Sequence, residues 1–455
     1  MNHKNISKDL LSFIQKCPSS FHTIHTIRQM LSEHEFHELS EKESWNLEKG
    51  NSYFVTRNNS SLIAFTIPAN GIEKYHIIAT HSDFPAFKIK ENPEIAVENH
   101  YIKLNVEKYG GMLMAPWLDR PLSVAGRIIV RKNTPDNALQ ISDATNLSEG
   151  ISEHASISEG IKNDSKIFEE ILVDVDRDLI LIPNLAIHMN REANDGYKYN
   201  AQKDMLPLFG DIRSKDQFVK IIAETANVPN YDILGHDLYL YNRQSGTIWG
   251  ANEEFISAPR LDDLQCTYGA MEGFLAGQKQ QAASLLCIFD NEEVGSSTKQ
   301  GAASTFLTDT INRIQWSLQM NPEEVQMAKA KSFMISADNA HAVHPNHPDK
   351  ADPVNRPYLN EGIVIKFNSN QRYCTDAVSA AYFKNLCETV DVPIQTYANR
   401  SDIAGGSTLG NISNNQFAVN TVDIGLPQLA MHSPYETAGV KDTGYLIKAI
   451  TKFFN

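Results

Sequence analysis

The residues best suited to chemistry in this chain are carboxylates and imidazoles gathered in short polar clusters. They are His81 and Asp83 in THSDFP, Asp262 and Asp263 in RLDD, and Glu292 and Glu293 in DNEEVG. Asp338, with His341 and His344 nearby, sits in SADNAHAVHP, and His432 in AMHSPYE. Each lies near the end of an apolar run or in the turn beyond it. Such groups converging on one edge would repel and desolvate one another without a cation. Two divalent ions would relieve that conflict. Imidazole and carboxylate ligands without thiolate suit zinc, with manganese or cobalt as substitutes. A pair of such ions clamps a substrate oxygen and lowers the pKa of a shared water.

The adjacent glutamates define the chemistry further. One can ligate an ion while its neighbour stays free to act as general base on water. Neighbouring residues on a regular strand point to opposite faces, so both can serve one site only where the backbone leaves strand geometry. Gly295 is placed to allow that. Singly, each cluster has a plainer explanation: a turn with a satisfied histidine, carboxylates at a helix N-terminus, a solvated strand end. Together they are harder to dismiss, because unrelated turns have no reason to collect ligand types at successive strand ends.

The elements that must carry these clusters follow from the apolar patterning. DLLSFIQKCPSSFHTIHTIRQMLSEH reads as two helices broken at Cys17–Pro18, with Ser19 or Ser20 capping the second. From about residue 245 strands alternate with helices: ASLLCIF, SFMISA, GIVIKF and AVNTVDIG are buried strands, and DAVSAAYFKNLCETV and DTGYLIKAITKFFN are helices. The expected class is α/β, a mostly parallel sheet sandwiched by helices, with its site at the carboxyl ends of the strands. Residues 93–244 read instead as many short strands, an inserted β-rich domain dividing a catalytic domain made of 1–92 and 245–455. Within the insertion, the Ser-, Glu- and Asn-rich stretch 142–164 reads as a mobile surface loop.

Composition excludes other classes. A net charge of −14 argues against a general nucleic-acid binder, and no apolar run is long enough to span a bilayer. The five cysteines form neither a CxxC pair nor a disulfide framework, which fits a reducing compartment. With no secretory signal at the N-terminus, the expectation is a soluble cytoplasmic protein.

THSDFPAFKIK, SAPRLDDL, DNEEVGSSTKQGA, SADNAHAVHPNH, IKFNSNQRYCTDAVSA, NRSDIAGGSTLGNI and DIGLPQLAMHS occur in this order, and together they resemble the M18 family of metallo-aminopeptidases, whose best-known member is aspartyl aminopeptidase. The resemblance also covers PSSFHTIHTIRQML, YGGMLMAPWLDRPLSVAGRIIV and IPNLAIHMNRE. It implies a dizinc centre that removes N-terminal residues from short peptides. His81, Asp262, Glu293, Asp338 and His432 would be the metal ligands, with Asp262 bridging and a cis bond after it. Glu292 would be the general base, and Asp83 a catalytic carboxylate orienting His81. The resemblance further implies that the insertion drives dimerisation, that dimers build a hollow dodecamer, and that a histidine from a neighbouring subunit completes the site. His188 is the candidate. An acidic Asp or Glu preference needs a fixed cation, for which Lys366 is the first candidate before Arg372 and Arg400. His344 and Gly405 are further candidates for substrate contact. Phe84, Pro434 and Tyr435 depart from the eukaryotic pattern and leave the side-chain preference open. Two other readings stand beside this one: a dimetal deacylase on the same scaffold, and a catalytically silent peptide-binding assembly protein.

Overall fold

The computed structural model describes residues 2–132, 167–277 and 282–455, so the stretch 142–164 lies outside the described residues. The chain divides into two compact units. One comprises Met1–Ala86, Lys108–Leu118 and Asn242–Asn455; the other comprises Phe87–Glu107 and Asp119–Tyr241. The segment Lys108–Leu118 thus packs with the first unit although it lies within 93–244.

The first unit is built on a nine-stranded sheet. At its centre, Ala283–Phe289, Tyr75–His81, Phe333–Ala337 and Asn420–Gly425 run parallel in that spatial order. Antiparallel pairing occurs towards the margins, where Ser61–Thr66 pairs with Ala283–Phe289 and Ile363–Phe367 with Asn420–Gly425. The strands are apolar on both faces because helices cover both. In Ala283–Phe289, Leu286 and Ile288 pack with Leu264, Met271 and Phe274 of the helix Leu261–Ala276. The alternate residues Leu285, Cys287 and Phe289 pack with Phe306, Ile311 and Ile314 of the helix Phe306–Ser317. One apolar strand thereby serves two cores, and the carboxylates lie beyond its carboxyl end.

The opening helices are His3–Gln15 and Ser20–Glu33, with Ser19 accepting the His22 N–H as cap. The helix Pro322–Ala330 escaped the sequence reading, although Asn321 and Glu324 form a capping box at its start.

The second unit carries a six-stranded sheet and a helix, Phe218–Ala226, that the strand-rich reading of this region passed over. The run DLILIPNLAIHM reads as a strand but contributes only isolated bridges at Ile180 and Leu181. Pro183 cannot donate to a ladder, and an exposed turn follows it.

Candidate active site

The four central parallel strands bring the polar clusters to one edge of the first unit. His81 is the last residue of Tyr75–His81, the DNEEVG turn follows Ala283–Phe289, Asp338 follows Phe333–Ala337, and His432 lies beyond Asn420–Gly425 and Pro427–Leu429. Asp262 opens the helix Leu261–Ala276 with non-helical backbone, and its peptide bond to Asp263 is cis.

The chain leaves strand geometry ahead of the glutamate pair, at Asn291, rather than at Gly295 alone. Asn291 adopts φ 59°, Glu292–Val294 forms a 3-10 turn, and Gly295 at φ 96° closes it. Strand alternation therefore ends before Glu292, and both carboxylates reach the same site.

Asp262 lies between the two histidines. Its Oδ1 is 3.7 Å from His81 Nε2 and its Oδ2 3.4 Å from His432 Nε2. Asp338 Oδ1 lies 3.8 Å from His81 Nε2, and Glu293 Oε2 3.4 Å from His432 Nε2. His81 Nδ1 donates to the Asp83 carbonyl at 3.0 Å, which leaves Nε2 as the lone-pair nitrogen facing the cluster. These ligand atoms fall into sets within 4.8 Å of one another: His81, Asp262, Asp263 and Asp338; His81, Glu292 and Glu293; Asp262, Glu293 and His432.

The residues fit metal ions. His81 Nε2, Asp262 Oδ1 and Glu293 Oε1 are buried with no hydrogen-bond partner among the described residues, an arrangement that is costly unless a cation takes those lone pairs. Electrostatics agree. Burial, then the Asp262 and Glu292 charges, push the Glu293 carboxyl well above its ordinary range. Burial, opposed by His81 and reinforced by Asp338, Asp83 and Asp262, lifts Glu292 to about 8. Burial opposes the His432 imidazolium, yet the hydrogen bond and charge of Asp262 raise its pKa to about 9. The carboxylates are too crowded to ionise together without added positive charge.

Two further carboxylates hold these residues in place. Asp83 accepts the backbone N–H of Glu292 at 3.1 Å and of Glu293 at 3.2 Å, and its Oδ1 lies 3.4 Å from His81 Nδ1. It also accepts the Tyr109 hydroxyl at 2.6 Å, and Asn291 Nδ2 donates back to that hydroxyl at 2.7 Å. Glu436 accepts the backbone N–H of Asp262 at 3.0 Å and of His432 at 2.7 Å. Tyr109, Asn291 and Glu436 escaped the sequence reading. For Glu436 the available signal was a carboxylate four residues beyond His432 in an otherwise weakly charged stretch.

A pocket of 180 Å³ opens beside the cluster, lined by Asp262, Glu292, Asp338 and His432 and walled further off by Lys366, Tyr373 and Thr408 among others. Lys366 is buried, donates to the Asn339 carbonyl at 2.7 Å and lies 3.4 Å from Asp338 Oδ2. His341 lines the pocket, whereas His344 does not border it and its Nδ1 accepts the Asn346 N–H. Gly405 packs on Asn399, and it is Gly406 that borders the pocket. Arg400 is tied to Asp402 at 2.8 Å and Arg372 is exposed. His188 lies in an exposed turn of the second unit.

Comparison with known proteins places this geometry in a family. Residues 13–149 and 159–454 match the family described as aminopeptidase I zinc metalloprotease, M18. A probable M18 family aminopeptidase 2 of Clostridium novyi is 43% identical over 461 aligned positions, covering 100% of this chain and 99% of the relative. Its counterpart in Clostridium acetobutylicum is 42% identical over the same span. Among solved structures, that of an Ape4 and Nbr1 complex superposes with a TM-score of 0.89 at 32% identity, covering 99% of this chain and 86% of the other. The S. cerevisiae mApe1 dodecamer gives 0.82 at 26% identity, covering 100% and 97%. With a ligand cluster at its strand ends and a match along nearly its whole length, the chain belongs to the M18 family of zinc metallo-aminopeptidases, hydrolases of peptide bonds.

Proposed function

We propose that this aminopeptidase removes N-terminal residues from short peptides at a centre of two zinc ions, with Glu292 as general base. The observation that carries the reading is the set of orphaned atoms on His81, Asp262 and Glu293, beside a glutamate that lines the pocket. His81, Asp262 and Asp338 would hold one ion, and Asp262, Glu293 and His432 the other. When bound, zinc supplies Lewis acidity towards the scissile carbonyl and lowers the pKa of water; manganese or cobalt could substitute. Glu292 takes a proton from the attacking water and passes it to the leaving amine. Asp83 holds the Glu292–Glu293 turn and the His81 ring while that proton moves.

Lys366 is the cation for an acidic substrate side chain. Two of its three N–H donors face Asn339 and Asp338, which leaves one for a ligand. The second unit is the dimerisation domain, and the assembly is a dodecamer built from dimers, as the likeness to the mApe1 dodecamer supports. His188 reaches a neighbouring subunit's pocket. In support, Leu185, Ile187 and Met189 around it are exposed apolar side chains that a second copy would cover.

The test is hydrolysis of a panel of aminoacyl substrates, free and N-acetylated, before and after chelation and zinc restoration. Metal-dependent release from free-amine substrates alone is expected. Cleavage of acetylated substrates would assign the centre to a deacylase, and inactivity with any metal would leave a silent scaffold.

A further inference from the structure

Asp262 and His432 are far apart in sequence, and neither sits in regular backbone. Asp262 occupies a non-helical position at the head of its helix, just after Arg260 at φ 62°, and His432 adopts φ 67°. A left-handed non-glycine residue costs on the order of 1–2 kcal/mol unless its surroundings hold it there. One carboxylate holds both the left-handed His432 and the extended Asp262, whose φ is −84° and ψ 108°. Glu436 is 2% exposed, and its two oxygens are divided between these two N–H groups, Oε2 to Asp262 and Oε1 to His432. Its strand, Glu436–Gly439, pairs antiparallel with Phe255–Ala258, with Ala258 opposite Glu436. That pairing fixes the chain entering the Asp262 turn against the chain leaving the His432 turn.

Asp83 plays the equivalent part for Glu292, Glu293 and His81, and it accepts no hydrogen bond from Asp262 or His432. The centre therefore has two carboxylate anchors, Asp83 on Glu292, Glu293 and His81, and Glu436 on Asp262 and His432. We infer that Glu436 is a positioning residue that registers Asp262 against His432 and thereby governs the His432-side metal site, which takes both residues it holds, more strongly than the His81-side site, which takes Asp262 alone. The inference rests on the two-ion reading proposed above.

The Glu436→Gln variant tests it. An amide has one acceptor oxygen, so its NH2 must face one of the two backbone donors, and one hydrogen bond is lost with little change in volume. The measurement is zinc binding to the intact metal-stripped assembly, by competition with a chromophoric chelator, read as two separate affinities. One site should weaken by roughly 10–100-fold and the other, which shares only Asp262, by no more than about 3-fold. The Glu436→Asp variant keeps the charge on a shorter stem and should recover part of that loss. It also serves as the test should the glutamine variant fail to fold. Equal weakening of both sites, or of neither, overturns the inference. A wild-type stoichiometry of one ion sinks the two-ion reading instead, and with it the separation of sites inferred here.

Discussion

The Tyr109 hydroxyl donates to Asp83 Oδ2 at 2.6 Å, so the residue that ends the strand Tyr101–Tyr109 bears directly on the carboxylate that holds both glutamates. A Tyr109→Phe substitution keeps the ring and removes this donor and the acceptor for Asn291. Hydrogen bonds to charged groups are worth about 1.5–3 kcal/mol, much of it recoverable by relaxation or water. A kcat reduced by roughly 10-fold is expected, with KM little changed and zinc content retained, as steady-state kinetics and metal analysis would show. A rise in KM at constant kcat would place Tyr109 in substrate binding instead.

Glu292→Gln removes the proposed base without changing its shape. Positioned general bases contribute typically 10²–10⁴-fold, so a loss of at least about 10²-fold in kcat is expected at wild-type metal content and assembly. Unchanged turnover would move the base role elsewhere.

Lys366→Met separates pocket charge from catalysis. For N-terminal Asp and Glu substrates kcat/KM should fall roughly 10–100-fold, and for neutral residues by no more than about 3-fold. Because Lys366 also faces Asp338, metal content is measured alongside. An equal loss for all substrates would make it a support for Asp338 rather than a reader of side chains.

Two histidines away from the site carry a pH prediction. Burial, then His25 and Arg260, lowers His22 to about 4. Burial, then Lys74, lowers His76 to about 4, and its ring stacks on Phe453. Both are depressed below the unfolded value of 6.5, so the folded protein binds fewer protons in that interval. Their contribution to stability is intact above pH 6.5 and is lost as the pH falls towards 4, by at most about 1.4 kcal/mol per pH unit for each. Urea unfolding at pH 7 and pH 4.5 should show a smaller stability difference in a His22→Gln, His76→Gln double variant. An unchanged difference would sink the assignment.

The gathering of these residues was legible because carboxylates and imidazoles follow the ends of apolar strands, where the chain turns out of the sheet. His81, Asp262, Glu293, Asp338 and His432 are side chains whose identity announces what they can bind. Glu436 and Tyr109 gave no such signal. Their partners are backbone N–H groups and another side chain's carboxylate, and a single chain read in order does not display which donors a distant carboxyl meets. Motif position points to His344 and Gly405, whereas the pocket is bordered by His341 and Gly406, a matter of turn geometry.

By itself, then, the amino-acid sequence determined the alternation of strands and helices, the ends at which polar groups accumulate, and the kinds of side chain gathered there, all of which follow from side-chain type and short-range periodicity. Only the tertiary structure decided which strands are neighbours, that Asp262 stands between His81 and His432, and that Asp83 and Glu436 anchor different residues of the cluster. Those relationships join residues far apart along the chain, and packing of the two cores on either face of one sheet brings them within hydrogen-bond reach.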